Sequence, residues 1–121
     1  MACTARVRHE GDVAIVDLSG RITLGDGWGT LRDTVKRLIS QGDRLVLLNM
    51  KDVSYIDSAG LGELVGSYAT MTNQGGQMKL VYAENKVRDV LMVTRLYGVF
   101  EHFADEAAAL QSFATRVSGA G

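Results

Sequence analysis

The feature that most constrains the fold is a short, unbroken apolar run at residues 45–48, Leu-Val-Leu-Leu, bounded by polar residues. A strand with one face in water alternates apolar and polar residues, whereas an unbroken run is typical of a strand buried on both faces. Strands of that kind belong mostly to parallel sheets, whose crossover connections are usually helices. The run therefore predicts an α/β fold with this strand inside the sheet.

Strand and helix patterns alternate on both sides of this run. Residues 5–10 alternate in polarity, and a turn at Gly11 and Asp12 separates them from the apolar residues 13–18, which indicates an antiparallel hairpin. Helical spacing begins at Trp28 and returns in three later segments, with strands between them. The order β-β-α-β-α-β-α-β-α predicts a single α/β domain: a four- to five-stranded, mostly parallel sheet with an N-terminal antiparallel hairpin and about four helices.

Charge and cysteine content narrow the possible functions. The chain of 121 residues carries 13 basic and 14 acidic side chains, a formal net charge of -1, whereas nucleic-acid binding depends on an excess of Lys and Arg. The single cysteine, Cys3, excludes an internal disulfide, and we expect it to be a free thiol in a mobile terminus. No apolar run is long enough to span a bilayer. We therefore expect a cytoplasmic domain at residues 1–117 and a disordered tail at 118–121, without nucleic-acid or membrane partners.

The segment between the buried strand and the second helix holds the candidate site. It lies at the carboxyl edge of the predicted sheet, where open α/β sheets build their sites. Asp57 or Ser58 is expected to cap the helix, because the first N–H groups of a helix lack partners within it. A plain cap is as good an explanation of this pair as a functional site. Gly60 and Gly62 favour a site, because glycine costs a helix up to ~1 kcal/mol and leaves the helix start open to a close partner.

Four segments together carry the sequence pattern of a known family. The site segment reads Asp57-Ser58-Ala59-Gly60-Leu61-Gly62 and resembles the signature D-S-[S/A/T]-G-[L/I/V]-G. Residues 18–23 resemble a strand end L-x-G-x-[I/L]-[D/T], residues 48–56 the approach to the signature, and residues 75–81 a strand G-G-x-[M/L]-x-[L/V]-[V/L]. These patterns belong to the STAS-domain family of bacterial anti-sigma factor antagonists, and the resemblance extends over essentially the whole chain.

The resemblance implies a protein-binding module in a partner-switching circuit, with no cofactor and no enzymatic activity. In that family the serine after the motif aspartate is phosphorylated by a kinase that doubles as an anti-sigma factor, which makes Ser58 the implied acceptor. Unphosphorylated, the chain would bind this GHKL-type serine kinase and so free a sigma factor, and a PP2C-type phosphatase would reset it. The implied contact residues are Asp57, Ser58, Ala59, Gly60, Leu61, Gly62 and Thr23, where Thr23 replaces an aspartate of many members. We expect a monomer or weak dimer.

Two other functions stay open on the sequence alone. Within the family, the chain could be a subunit of a larger signalling or lipid-transport assembly in which Ser58 is never phosphorylated. From a different class, it could be a small-ligand binding or enzymatic domain that uses the same sheet edge. Sequence motifs give the second option little support, because the glycines at 25, 27 and 29 lack the spacing of a nucleotide loop. Ser58 also stands outside a G-x-S-x-G nucleophile motif, and His9 and His102 lack metal-ligand spacing.

Overall fold

The computed structural model describes residues 2–25 and 27–120, with side chains as far as residue 113. Helices and strands follow the predicted order in this part of the chain. The strands are β1 (Thr4–Glu10), β2 (Val13–Ile22), β3 (Leu45–Ile56), β4 (Gln77–Val81) and β5 (His102–Phe103). The helices are α1 (Thr30–Ser40), α2 (Ser58–Asn73), α3 (Asn85–Val93) and α4 (Glu106–Ala120), and a short 3₁₀ turn at Tyr97–Val99 precedes β5. The domain boundary at residue 117 stays a prediction.

The five strands form one sheet in the order β1-β2-β3-β4-β5. Only the β1–β2 hairpin is antiparallel, and the other three pairings are parallel. The apolar run at 45–48 pairs with residues 13–16 of β2 on one side and with residues 77–80 of β4 on the other. The predicted mixed sheet, with the run at its centre, is therefore confirmed.

Helices cover the sheet on both faces. Alternate residues of β2 point to opposite faces: Ala14 and Val16 contact the core beneath α1, α2 and α3, whereas Ile15 contacts a smaller core beneath α4. Phe113 of α4 is a fully buried member of that smaller core. In the described residues, no helix combines the length and apolar character needed to span a bilayer. The predicted site therefore lies on the α2 side, separated from α4 by the sheet.

Two expectations near the N-terminus were wrong. Helical spacing was expected to begin at Trp28, but the helix begins only at Thr30 and Trp28 is 44% exposed. Gly27 and Gly29 adopt φ values of 83° and 92°, which interrupt helical geometry just before α1. Cys3 was expected in a mobile end, yet it is only 5% exposed. The reason is that the segment before β1 runs beside the end of β2 and packs against Gly27.

The two glycines in the first turns of α2 have different reasons to be there. A Cβ at Gly60 would lie 1.8 Å from the carbonyl oxygen of Ile22, so the helix backbone rests directly on the end of β2. A Cβ at Gly62 would meet nothing within 4 Å. Of these two glycines, Gly60 is the one that packing requires.

We predict opposite effects on stability from alanine at these two positions. Gly60→Ala should lower the free energy of unfolding by ~3 kcal/mol or more, because the overlap is with backbone that cannot rotate away. Gly62→Ala should raise it by about 0.5–1 kcal/mol through better helix propensity. Urea denaturation of both variants measures the two effects, and a Gly60→Ala variant as stable as the parent would contradict the packing.

We also predict that the Cys3 thiol reacts slowly in the folded chain. Burial and the negative charge of Glu63 raise the pKa of this thiol to about 11, so the reactive thiolate is scarce at neutral pH. Labelling with a thiol reagent should be slow in buffer and fast in concentrated guanidinium chloride, in which the chain unfolds. Rapid labelling under both conditions would show that the N-terminal segment is not packed as described.

Candidate functional site

The start of α2 presents Ser58 to solvent. Asp57 is the residue that caps the helix, because its Oδ1 accepts a hydrogen bond from the backbone N–H of Gly60 at 2.8 Å. Ser58 follows as the first helical residue, and its side chain is exposed. The question left open by the sequence is therefore settled: the aspartate satisfies the helix end, and the hydroxyl group is not needed as a cap.

Asp57 also fastens the connection between β2 and α1, which comprises residues 23–29 and is called the β2–α1 loop below. Its second oxygen, Oδ2, accepts a hydrogen bond from the N–H of Leu24 at 3.2 Å. The N–H of Asp57 itself donates to the carbonyl of Ile22 at 3.3 Å. The half-buried Thr23 stands between these two contacts in the chain. One residue thus joins the end of β2 through its backbone, and the loop and the helix that carries Ser58 through its side chain.

Glu63 forms a second connection that the sequence interpretation missed. Its side chain is buried, yet Oε2 accepts from the N–H of Gly29 at 3.1 Å and Oε1 from the N–H of Arg32 at 3.0 Å. Gly29 is the cap position of α1 and has no side chain with which to cap it. A carboxylate on α2 therefore caps α1, where the helix dipole favours negative charge. Two features of the sequence could have indicated this contact. An acidic residue stands among apolar positions of α2, and the residue before α1 is a glycine, which has no side chain to cap that helix.

The structure brings all seven predicted site residues to one corner of the domain. Five of them are exposed or half-buried: Ser58, Gly62, Asp57, Ala59 and Thr23. The other two, Gly60 and Leu61, are buried. These two lie beneath the surface, and only the other five present side chains or open backbone to solvent.

Large apolar side chains are exposed in the segments that adjoin this corner. Leu24, the loop residue whose N–H donates to Asp57, is 69% exposed. Trp28, in the same loop, has the Arg32 guanidinium over its ring at 4.9 Å, and Tyr55 precedes the helix on β3. Exposed apolar residues that cluster on a surface mark sites of protein interaction. Leu24 and Trp28 give the loop beside the corner an exposed apolar surface, whereas the Tyr55 ring has the Arg21 guanidinium over it at 5.0 Å.

Groups that an enzyme or nucleotide site would need have other partners in the described residues. The N–H of Gly29 donates to the chain's own Glu63 instead of facing a phosphate group. His9 contacts Asp43 at 3.2 Å, and His102 contacts the carbonyl of Tyr97 at 2.6 Å. Neither histidine is therefore placed as a general base for Ser58. Within residues 2–25 and 27–120, no three His, Cys, Asp or Glu side chains are grouped as metal ligands.

Comparison with known proteins agrees with this architecture. A sequence model of the STAS domain matches residues 4–109. The chain is 31% identical over 104 residues to the anti-sigma-B factor antagonist of Bacillus subtilis (strain 168), covering 86% of this chain and 93% of that protein. The crystal structure of an anti-sigma factor antagonist from Mycobacterium paratuberculosis superimposes with a TM-score of 0.80 at 19% identity, over 92% of this chain and 93% of the other.

A further solved structure shows the same fold in a phosphorylated state. It is the Bacillus cell fate determinant SpoIIAA in its phosphorylated form, with a TM-score of 0.68 and 18% identity, over 90% of this chain and 99% of the other. At this identity the likeness establishes the fold alone. The match of the family model over most of the chain and the identity to the Bacillus subtilis antagonist go further. The chain belongs to the STAS domain family.

Proposed function

We propose that the chain is an anti-sigma factor antagonist whose partner binding is switched off by phosphorylation of Ser58. Unphosphorylated, it binds a GHKL-type serine kinase that also serves as an anti-sigma factor, and the sigma factor held by that kinase is released. A PP2C-type phosphatase returns the phosphorylated chain to its active form. The relatives named as anti-sigma factor antagonists support a role of this kind, and we propose that the chain acts in the cytoplasm. The observation that carries the proposal is an exposed Ser58 hydroxyl at a helix start capped by a different residue.

The chain contributes the acceptor, and its partners contribute the catalysis. The Ser58 oxygen attacks the γ-phosphorus of ATP bound to the kinase, a new P–O bond forms, and ADP leaves. The phosphatase later transfers the phosphoryl group to water and regenerates the hydroxyl. Because the described residues place neither histidine beside Ser58, the proton of the hydroxyl passes to a group on the kinase. In this proposal the chain acts as a protein-binding module and leaves the catalysis to its partners.

A phosphate on Ser58 changes the surface charge far more than it changes the fold. It adds about -1.5 to -2 charges at neutral pH, which takes the formal charge from -1 to roughly -2.5 to -3. The N-terminus of α2 stabilises nearby negative charge by about 0.3–1 kcal/mol, whereas the Asp57 carboxylate next to it repels the phosphate. These two local effects therefore oppose each other within the chain. A partner packed on the exposed apolar side chains would instead have to bury the new charge.

We predict that the kinase places one phosphate on the chain and that it is on Ser58. The nearest competitors are poor acceptors: Ser67 is only 2% exposed, and the Ser54 hydroxyl donates to the carbonyl of Gly20 at 3.3 Å. Mass spectrometry of the chain after incubation with kinase and ATP identifies the site. Ser58→Ala is the control and should remain unmodified. Phosphate found mainly on Ser54 or Ser67 would contradict the assignment.

We further predict that Ser58→Asp and Ser58→Ala differ in binding and agree in stability. Since Asp57 provides the cap, each variant should stay within about 1 kcal/mol of the parent, as is usual for surface substitutions. Aspartate should weaken kinase binding by ~30-fold or more, because an uncompensated charge at a buried contact costs ~2–5 kcal/mol. Alanine should bind nearly as well as the parent.

Calorimetric titration against the kinase measures this difference, with thermal melts as the control for folding. A folded Ser58→Asp variant that binds as tightly as the parent would exclude the charge switch. That result would favour a subunit of a larger assembly that is never phosphorylated on Ser58.

A further inference from the structure

The β2–α1 loop depends on contacts outside itself for a fixed conformation. Gly25, Gly27 and Gly29 all adopt positive φ, and so many glycines give the unfolded loop a large conformational entropy to lose. Among the described residues of the loop, the N–H of Trp28 donates to the carbonyl of Gly25 at 2.9 Å, and the N–H of Thr30 donates to the carbonyl of Gly27 at 3.1 Å. Two hydrogen bonds attach the ends of the loop to α2: the N–H of Leu24 donates to Asp57, and the N–H of Gly29 donates to Glu63.

The stability of the fold does not by itself explain why the buried position 63 carries a carboxylate, because burying a charged group costs free energy. Its side chain is only 9% exposed and lies on the face of α2 that packs on the core. A buried carboxylate contributes little net stability compared with an apolar side chain of similar volume. What the carboxylate supplies is geometry, because both oxygens accept backbone N–H groups at the junction of the loop and α1. These two hydrogen bonds hold the junction in its position relative to α2.

We propose that Glu63 is a positioning residue of the partner-binding surface. It holds the β2–α1 loop beside Ser58 with Leu24 and Trp28 outward, in the conformation that the kinase binds. This inference rests on the proposed function. When the hydrogen bonds to Glu63 are lost, the loop occupies that conformation only part of the time. The apparent affinity then falls in proportion to the fraction of molecules that have it. Glu63 thus acts through the loop, without touching the partner.

Trp28 makes the loop observable, because it is the only tryptophan in the chain. In Glu63→Ala, acrylamide should quench its fluorescence more strongly than in the parent, and the amides of Gly29 and Arg32 should exchange faster with solvent. Glu63→Gln keeps one carbonyl oxygen as an acceptor, so it should restore part of both effects. These measurements need no partner and report on the loop alone.

Binding to the kinase that modifies Ser58 completes the test. Glu63→Ala should bind ~10-fold more weakly than the parent, with Glu63→Gln in between. The matched control is Phe113→Leu, which weakens the core under α4 on the opposite face of the sheet; it should lower thermal stability while leaving affinity unchanged.

The outcomes separate the two proposals. A parent chain that fails to bind any kinase active on Ser58 would overturn the proposed function. Unchanged Trp28 quenching and amide exchange in Glu63→Ala would overturn the positioning role, and so would an affinity loss no greater than that of a Phe113→Leu variant of equal stability. Loosening of the loop together with weaker binding, partly reversed by glutamine, would support it.

Discussion

The start of α2 rests on the end of β2, and the rest of the site depends on that contact. The helix backbone approaches the Ile22 carbonyl so closely that position 60 has no room for a Cβ. With the helix seated there, Asp57 reaches both the helix end and the β2–α1 loop. One turn further, Glu63 reaches the start of α1. A single backbone contact therefore sets the positions of Ser58, the loop and a second helix.

The two residues at the helix start have separate roles: Asp57 maintains the structure, and Ser58 presents the hydroxyl group that we propose is phosphorylated. Asp57 satisfies the helix and binds the loop, so its carboxylate is already occupied by N–H donors. Ser58 does not cap the helix, and its side chain is exposed. A modification of Ser58 therefore alters what a partner meets without removing a contact on which the fold depends. Under the proposed switch, the hydrogen bonds from the loop to Asp57 and Glu63 keep the surface in place while the charge on Ser58 changes.

The sequence predicts those parts of the fold that depend on local pattern. The apolar run at 45–48 was enough to place a strand inside a parallel sheet, because burial on both faces leaves a signature within a few residues. Trp28 was assigned to α1 because helical spacing continues backwards through Gly29, whose positive φ the spacing does not reveal. Cys3 and Glu63 were misjudged or missed because their contacts lie more than twenty residues away in the chain. Contacts of that range depend on the finished topology.

The central claim is that a phosphate on Ser58 changes a preformed surface and leaves the fold intact. Amide NMR spectra of the chain before and after phosphorylation test it most directly, when combined with hydrogen exchange. We expect chemical-shift changes at residues 57–63 and in the β2–α1 loop, with exchange from the amides of β2, β3 and β4 unchanged. Shift changes that spread through β4 and α4, or faster exchange across the central strands, would show instead that the phosphate acts by rearranging the domain.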